Sequence, residues 1–186
     1  HFENVGAVGS MLLNHDYSLQ EAGCVFLKDF DIHQIVRKRK PFYPEVNYIK
    51  KVDYCSGCSL LFKKHKDNSE LNLFDEQFAP AYFEETDLCF DLKYNQNKEI
   101  YVNPFSKVVH FNGVTYNSKQ EDSLEKSQRK EALFNVNKEK FYGKWNNEID
   151  AIKATSVIER TYEKYDKSIV FFNTSIPEFD KDSGAN

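Results

Sequence analysis

The sequence predicts an α/β fold, because segments typical of strands and segments typical of helices both occur along it. The apolar run "VGAVGSMLL", Val5–Leu13, is typical of a buried strand whose glycines allow another segment to approach closely. Residues 84–93 fit a helix, since Leu88 and Leu92 lie four residues apart on one face. The charge-rich run 122–145 predicts one or two surface helices.

The other segments are assigned from their local patterns. Residues 18–27 predict a turn that leads into a second extended segment, and residues 52–64 predict a strand interrupted by a glycine. Residues 29–47 contain two prolines and show no clear period, so a loop is expected there. The motifs "EIYVN" and "KVVHF" predict short strands, and residues 156–165 predict a helix.

Both ends of the chain are expected to be cut from a longer protein. The first residues enter a strand without a methionine start. Residues 167–186 predict one buried strand and then a loop rich in Pro, Asp and Gly, which resembles the opening of a further domain.

The composition narrows the classes of function. The net charge is −4 over 186 residues, which argues against nucleic acid as the main partner, because phosphate binding needs a basic surface. No run approaches the roughly 20 apolar residues of a membrane helix. Aromatic residues make up 15% of the chain, enough for deep packing or for a platform under a ring-shaped ligand.

The cysteines predict a reducing compartment. Cys55 and Cys58 form a CxxC pair without a second such pair, which is a weak signal for a metal or redox site. Free cysteines are among the most buried residues, so we expect plain buried thiols. No signal peptide opens the chain, and a cytoplasmic location is the expectation.

Six motifs occur in a recognisable order: "VGAVGSMLL", "SLQEAG", "VDYCSGCSLLFKK", "FDEQFAPAYFEETDLCFDLK", "KVVHFNGVTY" and "KFYGKW". Over roughly residues 5–145 this order resembles the second half of a family 2 glycosyltransferase catalytic domain, of the bacterial kind that builds O-antigen or capsule polysaccharide. The resemblance implies a partial GT-A fold, second half only, with a mixed sheet and flanking helices. It divides the chain into an acceptor-side half (1–146), a helical linker (147–166) and the start of a second glycosyltransferase module (167–186).

The resemblance also implies an activity. The enzyme would transfer a sugar, with inversion, from a nucleotide-sugar donor to a growing surface polysaccharide or lipid-linked glycan, at the inner face of the membrane. Mn²⁺ or Mg²⁺ would be held by a DxD motif in the nucleotide-binding half, which these residues do not include. The "DFD" at Asp29 to Asp31 lies in a region that the family leaves variable, and short motifs often match by chance. The alternative is a non-catalytic, degenerate transferase module that binds glycan or a partner protein.

Candidate catalytic residues follow from the run Glu84-Glu85-Thr86-Asp87-Leu88. By its position in this motif Glu85 matches the catalytic base, where the family commonly has aspartate, and Glu84 is the second candidate. Glutamate is one methylene longer, so its reach differs, and geometry comes before pKa for a general base. The alternative from the residues alone is that the three acids complement a helix N-terminus.

Binding residues are implied by the same comparison. Ser56, Gly57, Tyr82 and Asp87 are candidates for contact with substrate, although Gly57 could equally mark a β-bulge and Tyr82 could pack under the helix. His110, followed by Gly113 and Thr115, is a candidate metal ligand; a lone histidine is otherwise typical of packing or capping. The basic run "VRKRK" at 36–40 predicts a solvated loop or contact with phosphates of a lipid-linked acceptor or of an anionic membrane.

Overall fold

A curled, mixed sheet of five strands forms the centre of the protein. The computed structural model describes residues 4–35, 41, 43–64, 73–111 and 123–163, without the side chains of 123–126 and 162. The strands are β1 (Val5–Leu13), β2 (Leu19–Glu21), β3 (Cys24–Leu27), β4 (Asp31–Gln34), β5 (Lys50–Val52), β6 (Leu60–Phe62) and β7 (Glu99–Val109). The helices are α1 (Glu84–Phe90), α2 (Ser123–Asp150) and α3 (Val157–Tyr162). The predicted α/β class is confirmed.

Strand β1 is the central strand, and the prediction of a mostly buried strand here is confirmed. It pairs in parallel with β7 and antiparallel with β2 and β6, and β5 lies antiparallel on the far side of β7. Gly9 lets Cys55 approach β1: a Cβ atom at Gly9 would lie 2.3 Å from the Cβ of Cys55. The predicted close approach at a β1 glycine is therefore confirmed.

Strand β7 replaces the two short strands predicted at "EIYVN" and "KVVHF". They form one strand of 11 residues that continues through Pro104. The register against β1 shifts between Ser10 and Met11, where the partner changes from Asn103 to Lys107. Such an irregularity accommodates a proline that cannot donate a ladder hydrogen bond.

A separate two-stranded hairpin corrects the prediction of a loop over 29–47 at residues 31–34, which form a strand. Strands β3 and β4 pair antiparallel, with Leu27 opposite Asp31 at one end and Cys24 opposite Gln34 at the other. Strand β4 has only four residues, which is too short for a period to be visible beside the prolines. Asp29 adopts a left-handed φ of 61° in the connecting turn, and Asp31 accepts a 2.6 Å contact from the His33 ring.

The helices lie close to their predicted positions. Helix α1 begins at Glu84 and continues into a π-turn, Asp91–Asn95, over the predicted range 84–93. Helix α2 is a single element, kinked at Trp145 and longer than the predicted 122–145. Ser156 caps α3 by accepting the N–H of Glu159. Residues 167–186 lie outside the described residues.

An aromatic cluster joins the helices to the hairpin. It contains Phe26, Phe78, Phe83, Phe90, Phe141 and Trp145, all buried. Helix α2 supplies two of these rings, so one face of the predicted surface helix belongs to the core. Beyond the predicted domain boundary at 146, Ile149 and Ile152 are also buried in this cluster.

All four cysteines are free, and three of them are buried while Cys58 is exposed. Within the described ranges, no helix is long and apolar enough to cross a membrane.

Candidate functional site

The start of α1 is held in an unusual backbone conformation. Tyr82 and Phe83 both have a φ of 75°, a left-handed conformation that costs large side chains about 1–3 kcal/mol each. Asn137 of α2 holds this segment: its Nδ2 lies 2.8 Å from the carbonyl oxygens of Phe78 and Ala81, and 3.1 Å from that of Tyr82. Strain maintained by a buried side chain is typical of functional sites. Here it sets the direction in which α1 begins.

A cavity of about 530 Å³ opens beside this helix start. That volume lies in the range of small-molecule sites, about 300–1,000 Å³. The aromatic side chains that line it are Tyr54, Tyr82, Phe83 and Phe134, and the polar ones are His33, Gln34, Glu85 and Thr86. Apolar walls with a few convergent polar groups are the usual composition of a ligand site.

Glu85 is the acidic residue that lines the cavity. The pKa of its carboxyl is raised from 4.5 to about 7, chiefly by burial and next by the neighbouring charge of Glu84. The backbone N–H groups of Glu85 and Gly57 oppose this rise, and the charge of Glu21 adds to it. A carboxylate that titrates near neutral pH can both take up and release a proton there, which is what a general base needs.

Glu84, the second candidate base, lies next to Glu85 in the first turn of α1. It is half-buried, and its Oε2 is buried with no hydrogen-bond partner within the part of the chain that the structure describes. It does not line the cavity. Of the two candidates, Glu85 is therefore the one that a molecule in the cavity would meet.

Ser56 and Gly57 lie directly beside Glu85. Gly57 begins a 3₁₀ turn, Gly57–Ser59, which Ser56 caps by accepting the N–H of Cys58. A Cβ atom at Gly57 would lie 3.3 Å from the Cβ of Glu85, closer than side chains normally pack. The residue against which Gly57 packs is thus Glu85. The turn contradicts the alternative of a β-bulge at this glycine.

Asp87 occupies a different environment. Its side chain is 4% exposed, and it accepts hydrogen bonds from Trp145 Nε1 at 2.7 Å and from Lys144 Nζ at 2.9 Å. Lys144 also forms an ion pair with Asp75, with 2.9 Å between Nζ and Oδ2. These contacts anchor α1 to α2, and Asp87 is not among the residues that line the cavity. Its predicted contact with substrate stays a prediction.

His110 follows the last residue of β7. The backbone N–H of His110 donates to the carbonyl of Leu13, and the ring Nδ1 lies 2.9 Å from Oε1 of Gln20. Among the residues described, no group of three or more His, Cys, Asp or Glu side chains could hold a metal ion. His110 and its described neighbours therefore do not form a cation site by themselves. Gly113, Thr115 and the basic run 36–40 lie outside the described residues.

Two buried polar residues of this region could not be recognised from the sequence. Glu21 is part of the motif "SLQEAG", where an acid next to a predicted turn is normally exposed, yet it is 6% exposed here. Asn137 lies in the middle of a charge-rich helix, where an asparagine usually faces solvent, and it is fully buried. The only available signal was that Asn137 lies four residues before Phe141, on the same face of α2.

The arrangement can accept a proton from a polar molecule bound against aromatic rings. Comparisons with protein-family models, with characterised proteins and with solved structures find no match for this chain. Three features of the molecule bear on its function: the cavity, Glu85 and the order of motifs in the sequence.

Proposed function

We propose that this chain is the acceptor-side half of an inverting glycosyltransferase of family 2, with a partial GT-A fold. One observation carries the proposal. The residue that the motif assigns as the base, Glu85, lines a cavity of ligand size and has a pKa of about 7. An acid that served only to complement a helix N-terminus would not need to lie half-buried beside a cavity, as Glu85 does.

The proposed reaction is a single displacement at the anomeric carbon. Glu85 takes the proton of an acceptor hydroxyl while that oxygen forms its bond to the anomeric carbon. The bond from this carbon to the diphosphate breaks on the opposite face, so the configuration inverts. The transition state is oxocarbenium-like, as in glycoside hydrolysis. A divalent cation, Mn²⁺ or Mg²⁺, held by the DxD of the nucleotide-binding half, would neutralise the leaving diphosphate.

The walls of the cavity suit a glycan acceptor. The ring of Tyr82 can pack against the apolar face of a sugar, and His33 and Gln34 can hydrogen-bond its hydroxyls. The acceptor class is a growing surface polysaccharide or a lipid-linked glycan. The enzyme would then work in the cytoplasm at the inner face of the membrane.

Binding of the acceptor to this chain tests the first part of the proposal. A panel of bacterial surface oligosaccharides is titrated against the chain by ligand-observed NMR. We expect Tyr82→Ala to weaken binding roughly 5- to 10-fold, the usual scale of one aromatic contact. Glu85→Gln should bind nearly as well as wild type. Tyr17→Ala is the matched control, since Tyr17 is 67% exposed and lies outside the cavity. Absence of binding by every glycan would contradict the proposal.

Transfer activity tests the second part. In a longer protein that contains the nucleotide-binding half, Glu85→Gln should lower turnover by roughly 10²–10⁴-fold, the contribution of a general base. If Glu84→Gln is inactive and Glu85→Gln is active, the base is Glu84.

The glutamate in place of the family's aspartate favours a second candidate, a degenerate module that binds glycan without catalysis. That candidate predicts binding by this chain and no transfer by the longer protein, whichever residue occupies position 85.

A further inference from the structure

We propose that Glu21 is a positioning residue for Glu85: its carboxylate holds the Ser56–Gly57 segment against the Glu85 side chain and places a second negative charge near it. The inference rests on the proposed function in one respect, since it takes Glu85 as the catalytic base. Glu21 itself does not line the cavity and would not touch the substrate.

Glu21 joins two walls of the site. It is the last residue of β2, and its side chain is almost completely buried. Its Oε1 accepts the backbone N–H of Ser56 at 2.9 Å, and its Oε2 lies 3.4 Å from Nε2 of Gln34. Gln34 ends β4 and lines the cavity, whereas Ser56 precedes the turn that packs on Glu85. One carboxylate therefore connects the hairpin, the Ser56–Gly57 segment and the central sheet.

The Ser56–Gly57 segment transmits this restraint to Glu85. Gly57 approaches Glu85 so closely that an added Cβ would lie 3.3 Å from its Cβ and 3.8 Å from its Cδ. The backbone N–H of Gly57 is also one of the influences that lower the pKa of Glu85. Only the φ and ψ torsions of Ser56 separate its N–H from the peptide unit that carries the Gly57 N–H, so a hydrogen bond that fixes the first also restricts the second.

Burial opposes the charge of Glu21, while the neighbouring Ser56, Cys24, Gln34 and His110 lower its pKa. Burying a carboxylate costs free energy, and burial raises the pKa of Glu21 accordingly. A glutamine could accept the same Ser56 hydrogen bond without that cost. The negative charge does, however, help raise the pKa of Glu85. Keeping a buried acid at this place is thus consistent with tuning the proton affinity of Glu85.

Among the other titratable groups near Glu85, Glu84 also raises its pKa, as a further negative charge on the same helix and a larger influence than Glu21. The pKa values of Tyr54 and Cys89, which face Glu85 from the strand-β5 side and from α1, are raised by burial, so both groups are neutral at pH 7. His33 lines the cavity across from the helix and pairs with Asp31. Among the described residues, Glu21 is the acid that acts on Glu85 from outside α1.

The test is an NMR titration of the 186-residue chain labelled with ¹³C at glutamate carboxyls, with Glu85 identified by the signal lost in Glu85→Gln. In wild type, we expect the Glu85 curve to show a second inflection at the midpoint of Glu21, because interacting acids titrate together. The Ser56 amide proton should follow that same midpoint. Apart from the Glu85→Gln spectrum that assigns the Glu85 signal, both results are read from the wild-type chain.

Two variants separate the charge from the hydrogen bond. Glu21→Gln should move the Glu85 midpoint to lower pH while the Ser56 amide stays protected from exchange. Glu21→Ala should in addition make that amide exchange faster by at least tenfold. Glu76→Gln, at an exposed acid, should change neither. A single-step Glu85 curve in wild type, together with an unmoved midpoint in Glu21→Gln, would overturn the proposal. The readout involves no glycan and no donor, so its failure is distinct from failure of the acceptor-binding test.

Discussion

Glu85 makes the stability of the protein depend on pH in a defined direction. Its pKa is raised from 4.5 to about 7 in the folded chain, so folding favours the protonated form. The stabilisation that this provides is complete below pH 4.5 and is lost as the pH rises through 7. In Glu85→Gln the side chain at position 85 carries no charge at any pH, so the variant does not lose this stabilisation as the pH rises.

We therefore predict that Glu85→Gln gains stability relative to wild type between pH 5 and pH 8. Urea unfolding at the two pH values measures the difference in the free energy of unfolding. Comparing the variant with wild type cancels the contribution of Asp87, whose pKa is also raised by burial. Glu76→Gln serves as the exposed control. A constant difference between variant and wild type at both pH values would show that Glu85 titrates normally.

The motif placed Glu85 correctly at the beginning of a helix, but its environment could not be predicted from the sequence. Acids in a first helical turn are common, and nothing local distinguishes a solvated acid from one beside a cavity. The difference arises from Gly57 and Glu21, which are distant in sequence and reach Glu85 only through the sheet.

At the scale of single elements, Asn137 links α2 to the segment before α1. Asn137→Ala leaves three carbonyl groups, of Phe78, Ala81 and Tyr82, without their buried donor. We predict a loss of about 1–3 kcal/mol in the free energy of unfolding, the cost of unsatisfied buried groups. The exposed neighbour Asn135→Ala should cost less than about 0.5 kcal/mol. Equal effects of the two substitutions in urea unfolding would mean that the segment is held by packing instead.

Helix α3 is attached to the core by a buried ion cluster. Asp53 is fully buried. Its carboxylate accepts hydrogen bonds from Arg160 at 3.0 and 3.1 Å and from Lys93 at 2.6 Å. We predict that Arg160→Met destabilises the protein by about 3 kcal/mol, the low end for breaking a buried pair, because Lys93 still compensates the charge. The exposed partner gives the control: Glu163→Gln should cost less than about 1 kcal/mol. Thermal unfolding of both variants measures their melting temperatures, and similar values for the two would contradict the prediction.

Elements with a strong local pattern were predictable, and those defined by distant partners were not. Strand β1 and helix α1 follow from apolar periodicity, and the cap Ser156 marks α3. Strand β4 has four residues and exists because β3 lies beside it, so its own sequence gives no signal. The continuity of β7 through Pro104 likewise depends on an irregular register with β1.

At the scale of the whole molecule, one ring connects the elements that surround the site. Phe141 is fully buried, and its ring lies 4.9–6.4 Å, centroid to centroid, from five other phenylalanine rings. These rings are Phe26, Phe30, Phe78, Phe83 and Phe90. They come from the hairpin, from the segment before α1 and from α1 itself. The α/β class was predictable from the order of elements, but this junction was not, because 122–145 is rich in charge.

We predict that Phe141→Ala destabilises the whole unit, by about 3–5 kcal/mol, as expected for a large buried ring. Trp145 is the single tryptophan of the chain and packs on Phe90, so its fluorescence reports on the cluster, while far-ultraviolet circular dichroism reports on all elements. The unfolding transitions that the two signals report should move together to a lower urea concentration, since the cluster belongs to the same cooperative unit as the sheet. Phe134→Ala is the matched control, because that ring is 37% exposed, and its effect should be less than half as large. A fluorescence transition that precedes the circular dichroism transition would show instead that the helices and the sheet unfold independently, and that the cavity between them is not rigidly supported.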